Sequence, residues 1–417
     1  MLQRLIRQYR AAFSGVPRNV WLIALILLVS RSGTMVLPFL AIYCRQELGL
    51  EPAAIGLLLS AYGVGSVVAG LLGGKITQWI GSIPTQIISL TMATPGFLWV
   101  GFAENFTMLF LSLSYLSLGM EMMRPACATA TIEFCDNASQ HTKAFAVNRL
   151  AVNLGMTLGP AVGGFLALID YQLLFYVNAC STFGALLLTW WCFGWTPTTI
   201  DEPSEEVIHQ KTGKKRSPYH DKTFLCFCAL TCVAACVLFQ FLGAYPLYLK
   251  EQFHFQEYQI GLLFAVNTIV IVLFEMVVVS VTSKLPLLRT YAWGQLISCI
   301  GFGMLPLAAG FDFMFTAPFA VFSMLVLTTG EMLTSPLGPS YAASRATAET
   351  RGGYMGLYVT SFSVAVLVAP LGGMWLYAQH PDLVWYVSLV IGALVFLGLL
   401  YLAKWDEAPS DSELPGP

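Results

Sequence analysis

Apolar runs as long as a bilayer-crossing helix recur along this chain, and they constrain its fold more than any other feature. A hydrocarbon core of ~30 Å needs about 20 apolar residues per helix. Twelve runs meet that length, over 20–43, 53–77, 84–103, 107–131, 143–168, 171–195, 223–248, 258–282, 287–309, 313–338, 353–378 and 383–404. Lipid offers backbone groups no partners, so each run is read as a helix. The alternating segments of about ten residues that a β-barrel needs are absent. The first run is too long for a cleaved signal, and no small-residue cleavage site follows it. With 57% hydrophobic and 11% charged residues, the chain lacks the polar surface of a soluble enzyme. Its net charge of −2 gives no reason to expect a nucleic-acid partner. The expected class is an all-α, multi-pass membrane protein.

Lys and Arg in the loops orient such a protein. One side collects Arg4, Arg7, Arg10, Arg18, Lys75, Lys143, Lys211, Lys214, Lys215, Arg216, Lys222, Lys284, Arg289, Arg345, Arg351 and Lys404; the other collects Arg45 and Lys250. Both termini are therefore expected in the cytoplasm. Trp21, Trp79, Trp190, Trp191, Trp195, Trp293 and Trp405 fall near the inner interface, and Trp99, Trp375 and Trp385 near the outer.

The one long polar stretch, about 196–222, reads as a cytoplasmic linker. It divides the chain into a six-helix bundle over 1–195 and a second over 223–404, with a tail over 405–417. The halves repeat each other. Tyr43-Cys44-Arg45 and Ile55-Gly56-Leu57-Leu58 return 205 residues later as Tyr248-Leu249-Lys250 and Ile260-Gly261-Leu262-Leu263. Gly119 and Pro125 return as Gly330 and Pro336, shifted by 211, and Pro160 and Gly163 as Pro370 and Gly373, shifted by 210. Parallel six-helix repeats suit a transporter that rocks two bundles about a midplane site.

On these residues the chain resembles the major facilitator superfamily over essentially its whole length. Gly155-Met-Thr-Leu-Gly159-Pro160-Ala-Val-Gly163-Gly164 in the fifth span is similar to the signature of its drug:proton antiporter branch. Glycines there let helices touch backbone to backbone, and proline frees a carbonyl. Gly330-Glu331 through Pro336, followed by Arg351-Gly352-Gly353, resembles bacterial efflux facilitators and proton-coupled oligopeptide transporters. In the latter, a tenth-helix glutamate serves proton and substrate. Arg31-Ser32-Gly33-Thr34 through Tyr43 is similar to small-peptide or amino-acid exporters. The family's loop after the second helix usually reads Gly-x-x-x-Asp-Arg-x-Gly. Here it runs from Gly73 and Gly74 to Gly81, with Gln78 for the acid and Trp79 for the base. The resemblance implies a weakened charge lock at that loop.

A charge at the bilayer centre costs ~2.5–3.5 kcal/mol even on lenient scales, so intramembrane charges mark function by default. Arg31, Arg124, Arg149, Glu121, Glu275 and Glu331 lie inside the runs, on the first, fourth, fifth, eighth and tenth. Glu121 and Arg124, three apart, share a helix face and can pair. A glutamate that trades an arginine for substrate can load and release a proton. Glu331 is the first candidate for that role and Glu121 the second. Arg31 and Arg124 offer guanidinium forks for a substrate carboxylate, and Tyr43 and Tyr245 are the accompanying candidates for substrate contact. Arg149 and Glu275 read first as structural charges. The five histidines fall in or near loops, so no histidine relay is expected. Cys228, Cys232 and Cys236 lie at helical spacing and read as small packing residues, not metal ligands. No cofactor or metal is expected.

The expected function is a proton-coupled secondary transporter, exporting small amphipathic or peptide-like solutes. It would act as a monomer in a cell membrane, with a bacterial inner membrane favoured by the compact loops. Proton-driven uptake of peptides or organic anions is the alternative, and a non-transporting sensor or scaffold is the alternative of another class. No nucleophile elbow, zincin motif or phosphate-binding loop is present, which argues against an enzyme.

Overall fold

Each apolar run is a helix, or a pair of helices broken near its middle or end. The computed structural model describes residues 15–135, 138–196, 217–282, 285–347 and 350–407. Arg4, Arg7, Arg10, Lys284, most of the 196–222 linker and the tail beyond 407 lie outside the described residues. The first span comprises α1 (Arg18–Ser32) and α2 (Val36–Gln46). Spans two to six are α3 (Pro52–Ile80), α4 (Ser82–Gly101), α5 (Phe106–Glu133), α6 (Ala138–Ala167) and α7 (Gln172–Phe193). The seventh comprises α8 (Lys222–Leu238) and α9 (Ala244–Glu251), and the eighth and ninth are α10 (Glu257–Thr282) and α11 (Leu287–Gly303). The tenth comprises α12 (Phe313–Thr334) and α13 (Leu337–Ser344), and the last two are α14 (Arg351–Gln379) and α15 (Leu383–Glu407).

The breaks have local causes. α1 stops at Gly33, where the Thr34 amide turns back to the Arg31 carbonyl at 3.0 Å and the Met35 amide to the Gly33 carbonyl at 2.7 Å. The seventh span breaks in the corresponding place, through a tight turn over Phe239–Leu242 that ends at Gly243. The tenth breaks at Pro336, which has no N–H to continue the ladder. Its repeat partner Pro125 stays inside a continuous α5, so the two copies differ there.

Among the described residues, eleven spans are long and apolar enough to cross a membrane. The third, α4, is more polar: it buries Ser82, Thr85, Gln86 and Ser89. It packs against α5 and α7, and Ser89 Oγ donates to the Gly119 carbonyl at 2.7 Å. The hydroxyls of Ser82, Thr85 and Ser89 therefore face protein.

Helices α1–α7 pack with one another, as do α8–α15; contacts between the groups run mainly along α3 with α14 and α6 with α10. These two lines are images of each other under the sequence repeat. A Cβ on Gly56 would lie 2.7 Å from the Pro370 carbonyl oxygen, and one on Gly261 would likewise meet the Pro160 carbonyl. Glycine is required at both sites by close approach.

The two ends of the molecule pack differently. At the end carrying the loops at 47–51, 168–171 and 252–256, one apolar core draws on both halves, including Phe39, Leu58, Tyr171, Tyr248, Ile260 and Trp385. At the end carrying the described chain termini the core divides. One cluster, around Phe227, Tyr291, Tyr354 and Leu399, lies in the second half alone. The other, around Ile26, Leu90 and Met123, lies in the first alone. The loop end is closed and the terminus end is parted.

Tryptophans at the terminus end stand out from the protein: Trp79, Trp191 and Trp405 are exposed, as an interfacial belt requires. Trp385 corrects the outer set. It is fully buried, stacked on Phe302 at 5.7 Å, because the closed loop end uses it as core.

Candidate functional site

The parted end admits a cleft that reaches charges well inside the spans. Arg124 lies nine residues before the end of α5, roughly 13 Å along the axis. It sits deep among helices and still exposes 67% of its side chain, which puts it on the cleft wall. Its Nε pairs with Glu121 Oε2 at 2.9 Å, as the three-residue spacing predicts. Tyr62 of α3 donates to the other Glu121 oxygen at 3.1 Å. Arg31 joins the electrostatic neighbourhood of Tyr62. Among the described residues it has no hydrogen-bond or ion-pair partner. The first half thus presents one neutralised pair and one unpaired cation.

The second half presents the opposite sign. A cavity of ≈ 110 Å³ lies wholly within it, lined by Glu331, Thr231, Tyr291, Gln295, Ser298 and Tyr358 among others. None of its lining residues is basic. Glu331 Oε2 accepts from Asn267 Nδ2 at 3.1 Å, and that amide also donates to Thr328 at 3.0 Å. Among the described residues no cation lies within ion-pair distance of Glu331. The break at Pro336, one turn beyond Glu331, ends α12 beside the cavity.

Arg149 and Glu275 form a pair that joins the halves, α6 to α10, and Arg149 Nη2 also donates to Ser335 Oγ at 2.9 Å. A second cross-half contact lies further along the same helices, where Thr157 donates to Thr268 at 2.8 Å.

The fifth-span glycines divide between two neighbours. Gly155, Gly159 and Gly163 face the broken first span from Arg31 to Met35, while Gly164 faces Glu257 and Tyr258 of α10. Pro160 stays within α6 and aims its carbonyl at Gly261. Gly73 lies against Pro125 and Gly74 faces open space. Gly81 is the single residue between α3 and α4, at φ 95°, where a side chain is strained. Gln78 and Trp79 beside it are exposed.

Tyr43 and Tyr245 do not join the cleft. Tyr43 packs edge-on to Phe175 at 5.2 Å, and Tyr245 is fully buried among Phe241, Phe264 and Phe302. Both sit in the closed loop end, where aromatic rings fill the space between spans.

Two charge clusters at that end were not singled out by sequence. Arg45 pairs with Glu251 at 3.1 Å, and Glu251 also accepts from Tyr377 at 2.8 Å. Lys250 pairs with Glu257 at 2.7 Å, and Glu257 accepts from Tyr171 at 2.8 Å. The bases are the repeat partners Arg45 and Lys250, and each cluster crosses between the halves. Local sequence carries no signal for these pairings: Glu251 follows Lys250 but pairs with Arg45 of the other half, and Lys250 takes Glu257, seven residues on.

A third cluster lies at the terminus end of the second half. Arg345 binds Asp221 through two hydrogen bonds of 2.8 and 3.0 Å and pairs with Asp406, while Tyr354 donates to Asp221 at 3.1 Å. Asp221 also caps α8 by accepting from the Phe224 amide at 3.1 Å. Burial opposes its charge, but Arg345, that amide and Tyr354 outweigh burial and hold the carboxyl below its usual value.

Known proteins share this sequence pattern and fold. The Major Facilitator Superfamily model matches over residues 20–245 and again over 223–416. The quinolone resistance protein NorA of Staphylococcus aureus (strain MRSA252) is 24% identical over 359 residues, covering 85% of this chain and 88% of that protein. The multidrug resistance protein MdtH of Escherichia coli (strain K12 / DH10B) is 21% identical over 388 residues, covering 88% and 89%. A POT family transporter in complex with 5-aminolevulinic acid superposes with a TM-score of 0.76 at 16% identity, covering 94% of this chain and 98% of that one. Another, in complex with a thioalcohol conjugated peptide, gives 0.78 at 15% identity, covering 94% and 97%. With two matched repeats, a multi-pass helical fold and opposed charges on the facing halves, the chain belongs to the Major Facilitator Superfamily.

Proposed function

We propose that the protein is a proton-coupled secondary transporter that exports small amphipathic or peptide-like solutes by alternating access. One observation carries this reading: Glu331 stands in a polar and aromatic cavity with neutral partners, facing a half whose Arg31 is unpaired. A carboxyl so placed can exchange a proton for the cationic end of a solute, and aromatic rings favour that end further. Glu121, already held by Arg124, is the second proton site. The bundles 1–195 and 223–404 rock about the paired lines α3 with α14 and α6 with α10, joined by 196–222. The excess of Lys and Arg supports a cytoplasmic terminus end, so the cleft opens inward in this conformation. Resistance relatives support export and a bacterial inner membrane. No gradient-independent energy source is needed, and the unit acts as a monomer.

Uptake of zwitterionic peptides or organic anions is the second reading, favoured by unpaired Arg31 and by the fold shared with POT transporters. Proteoliposomes loaded with a pH dye, challenged with dipeptides, amino acids and lipophilic cations, test both. One class should drive proton flux in the wild type and fail to do so in Glu331→Gln. Flux that survives Glu331→Gln moves the role to Glu121. Ligand binding without any flux favours a sensor.

A further inference from the structure

Arg149 occupies a position that a plain structural clasp does not need. Its guanidinium pairs with Glu275 of α10 and, through Ser335, touches α12 at the rim of the Glu331 cavity. The Ser335 amide bonds to the Glu331 carbonyl at 2.9 Å, so Ser335 and Glu331 are one helical turn apart, about 5.4 Å. An arginine side chain spans that distance by changing rotamer, and its five donors can serve one carboxylate or two. Arg149 and Glu275 are also the charged groups within electrostatic reach of Glu331. The other titratable groups on the cavity wall are Tyr291, Tyr358 and Cys299, and none of them is a cation. If Glu331 loses its proton, Arg149 is the base within reach.

From this geometry we infer that Arg149 is the exchangeable counter-ion of Glu331. It rests on Glu275 while Glu331 carries its proton, and moves toward Glu331 when that proton leaves. Arg149 belongs to the first half, and both carboxylates belong to the second. The exchange therefore shifts the inter-half tie from α10 toward α12. Asn267, which holds Glu331, and Thr268, which receives Thr157 from the first half, are adjacent on α10. The proton site and the half-to-half contact thus share one helix, so protonation is read directly as a change in how the halves are tied. Arg149 is a positioning residue for coupling, and the inference rests on Glu331 being the proton carrier.

Protons alone suffice as the probe. Spin labels at Phe145→Cys and Ser340→Cys, both exposed at the terminus end on opposite halves, report inter-half distance as pH is varied in the full chain. The native cysteines are replaced in that background. The wild type is expected to show a pH-dependent distance change that Glu331→Gln abolishes. Glu275→Gln should move the midpoint about one unit to the acid side, because Arg149 then stays on Glu331. Arg149→Gln should move it by a similar amount to the alkaline side, and Arg149→Lys should lie near the wild type. The double variant R149Q/E275Q is decisive. With Arg149 gone there is no base to hand over, so Glu275→Gln should lose most of its acid shift in that background. An acid shift of the same size there would come from loss of the Glu275 charge alone and overturn the inference. If the double variant does not assemble, an unchanged midpoint in Glu275→Gln overturns it equally. A pH response that survives Glu331→Gln removes the proton-carrier reading itself, which is a separate failure.

Discussion

The carbonyl oxygen of Pro160 in α6 is aimed at the bare backbone of Gly261 in α10, and the repeat makes the same contact again between Pro370 and Gly56. Each glycine lets another backbone come close to the helix that carries it. The carbonyl that each proline leaves without its usual amide is a different one, four residues earlier, at Met156 and Val366. Two such contacts, one on each side of the molecule, form the lines along which the halves meet.

Filling either contact should cost the closed loop end about 1–3 kcal/mol, the usual range for overpacking. Gly261→Val and Gly56→Val are each expected to depress transport severely. Gly74→Ala, which faces open space, should stay within about 0.5 kcal/mol of the wild type. Transport rates and melting temperatures of the three variants in detergent check this contrast.

The Arg45 and Glu251 cluster and the Lys250 and Glu257 cluster both bridge the halves at the loop end. Removing Glu257 takes the acid from the partly buried Lys250, and removing Glu251 leaves Arg45 only Glu51 of its own half, at 3.5 Å, so either change should favour opening. Cys44 is fully buried in that closed core and serves as a native reporter. With the other cysteines replaced, Glu251→Gln or Glu257→Gln should raise the rate of Cys44 alkylation about tenfold, equivalent to ~1.4 kcal/mol. An unchanged rate would mean that the apolar core alone keeps this end shut.

Arg31 and Arg124 should respond differently to loss of charge. Arg31 has no partner among the described residues, so Arg31→Gln should leave the melting temperature unchanged while weakening carboxylate-bearing solutes by about 1–3 kcal/mol. Arg124→Gln leaves Glu121, whose side chain is only 10% exposed, with Tyr62 as its remaining partner, and should lower stability by about 1–3 kcal/mol. Isothermal titration beside thermal melts separates the two effects.

Asp221 links stability to pH. Its folded carboxyl is held below the usual value by Arg345, the Phe224 amide and Tyr354 against the opposing effect of burial. The unfolded chain then binds its proton at higher pH, near ~3.9. The stabilisation is therefore complete above that value and is lost as pH falls through the folded one. Asp221→Asn should lower the melting temperature at pH 7 and flatten its decline below about pH 4. A parallel decline in both proteins would exclude Asp221 as a contributor.

Much of this protein was written in local sequence because the bilayer imposes its own ruler. Span lengths follow from membrane thickness, whereas the break at Pro336 does not follow from the proline alone, because its repeat partner Pro125 stays inside a continuous helix. The charged positions 31, 121, 124 and 331 stand out because lipid excludes charge. The Glu121 to Arg124 pair needed only helical spacing. Trp385, Tyr43 and Tyr245 were not legible in the same way, since an aromatic at a span end reads alike whether it meets lipid, cavity or another ring. Sequence by itself determined the helices, their repeat and which residues bear charge inside them. Tertiary structure decided that Glu331 has a neutral partner, that Arg149 ties the halves beside it, and that Pro160 meets Gly261. Those depend on the tilt and rotation of helices distant in the chain, which packing between helices sets and no local pattern encodes.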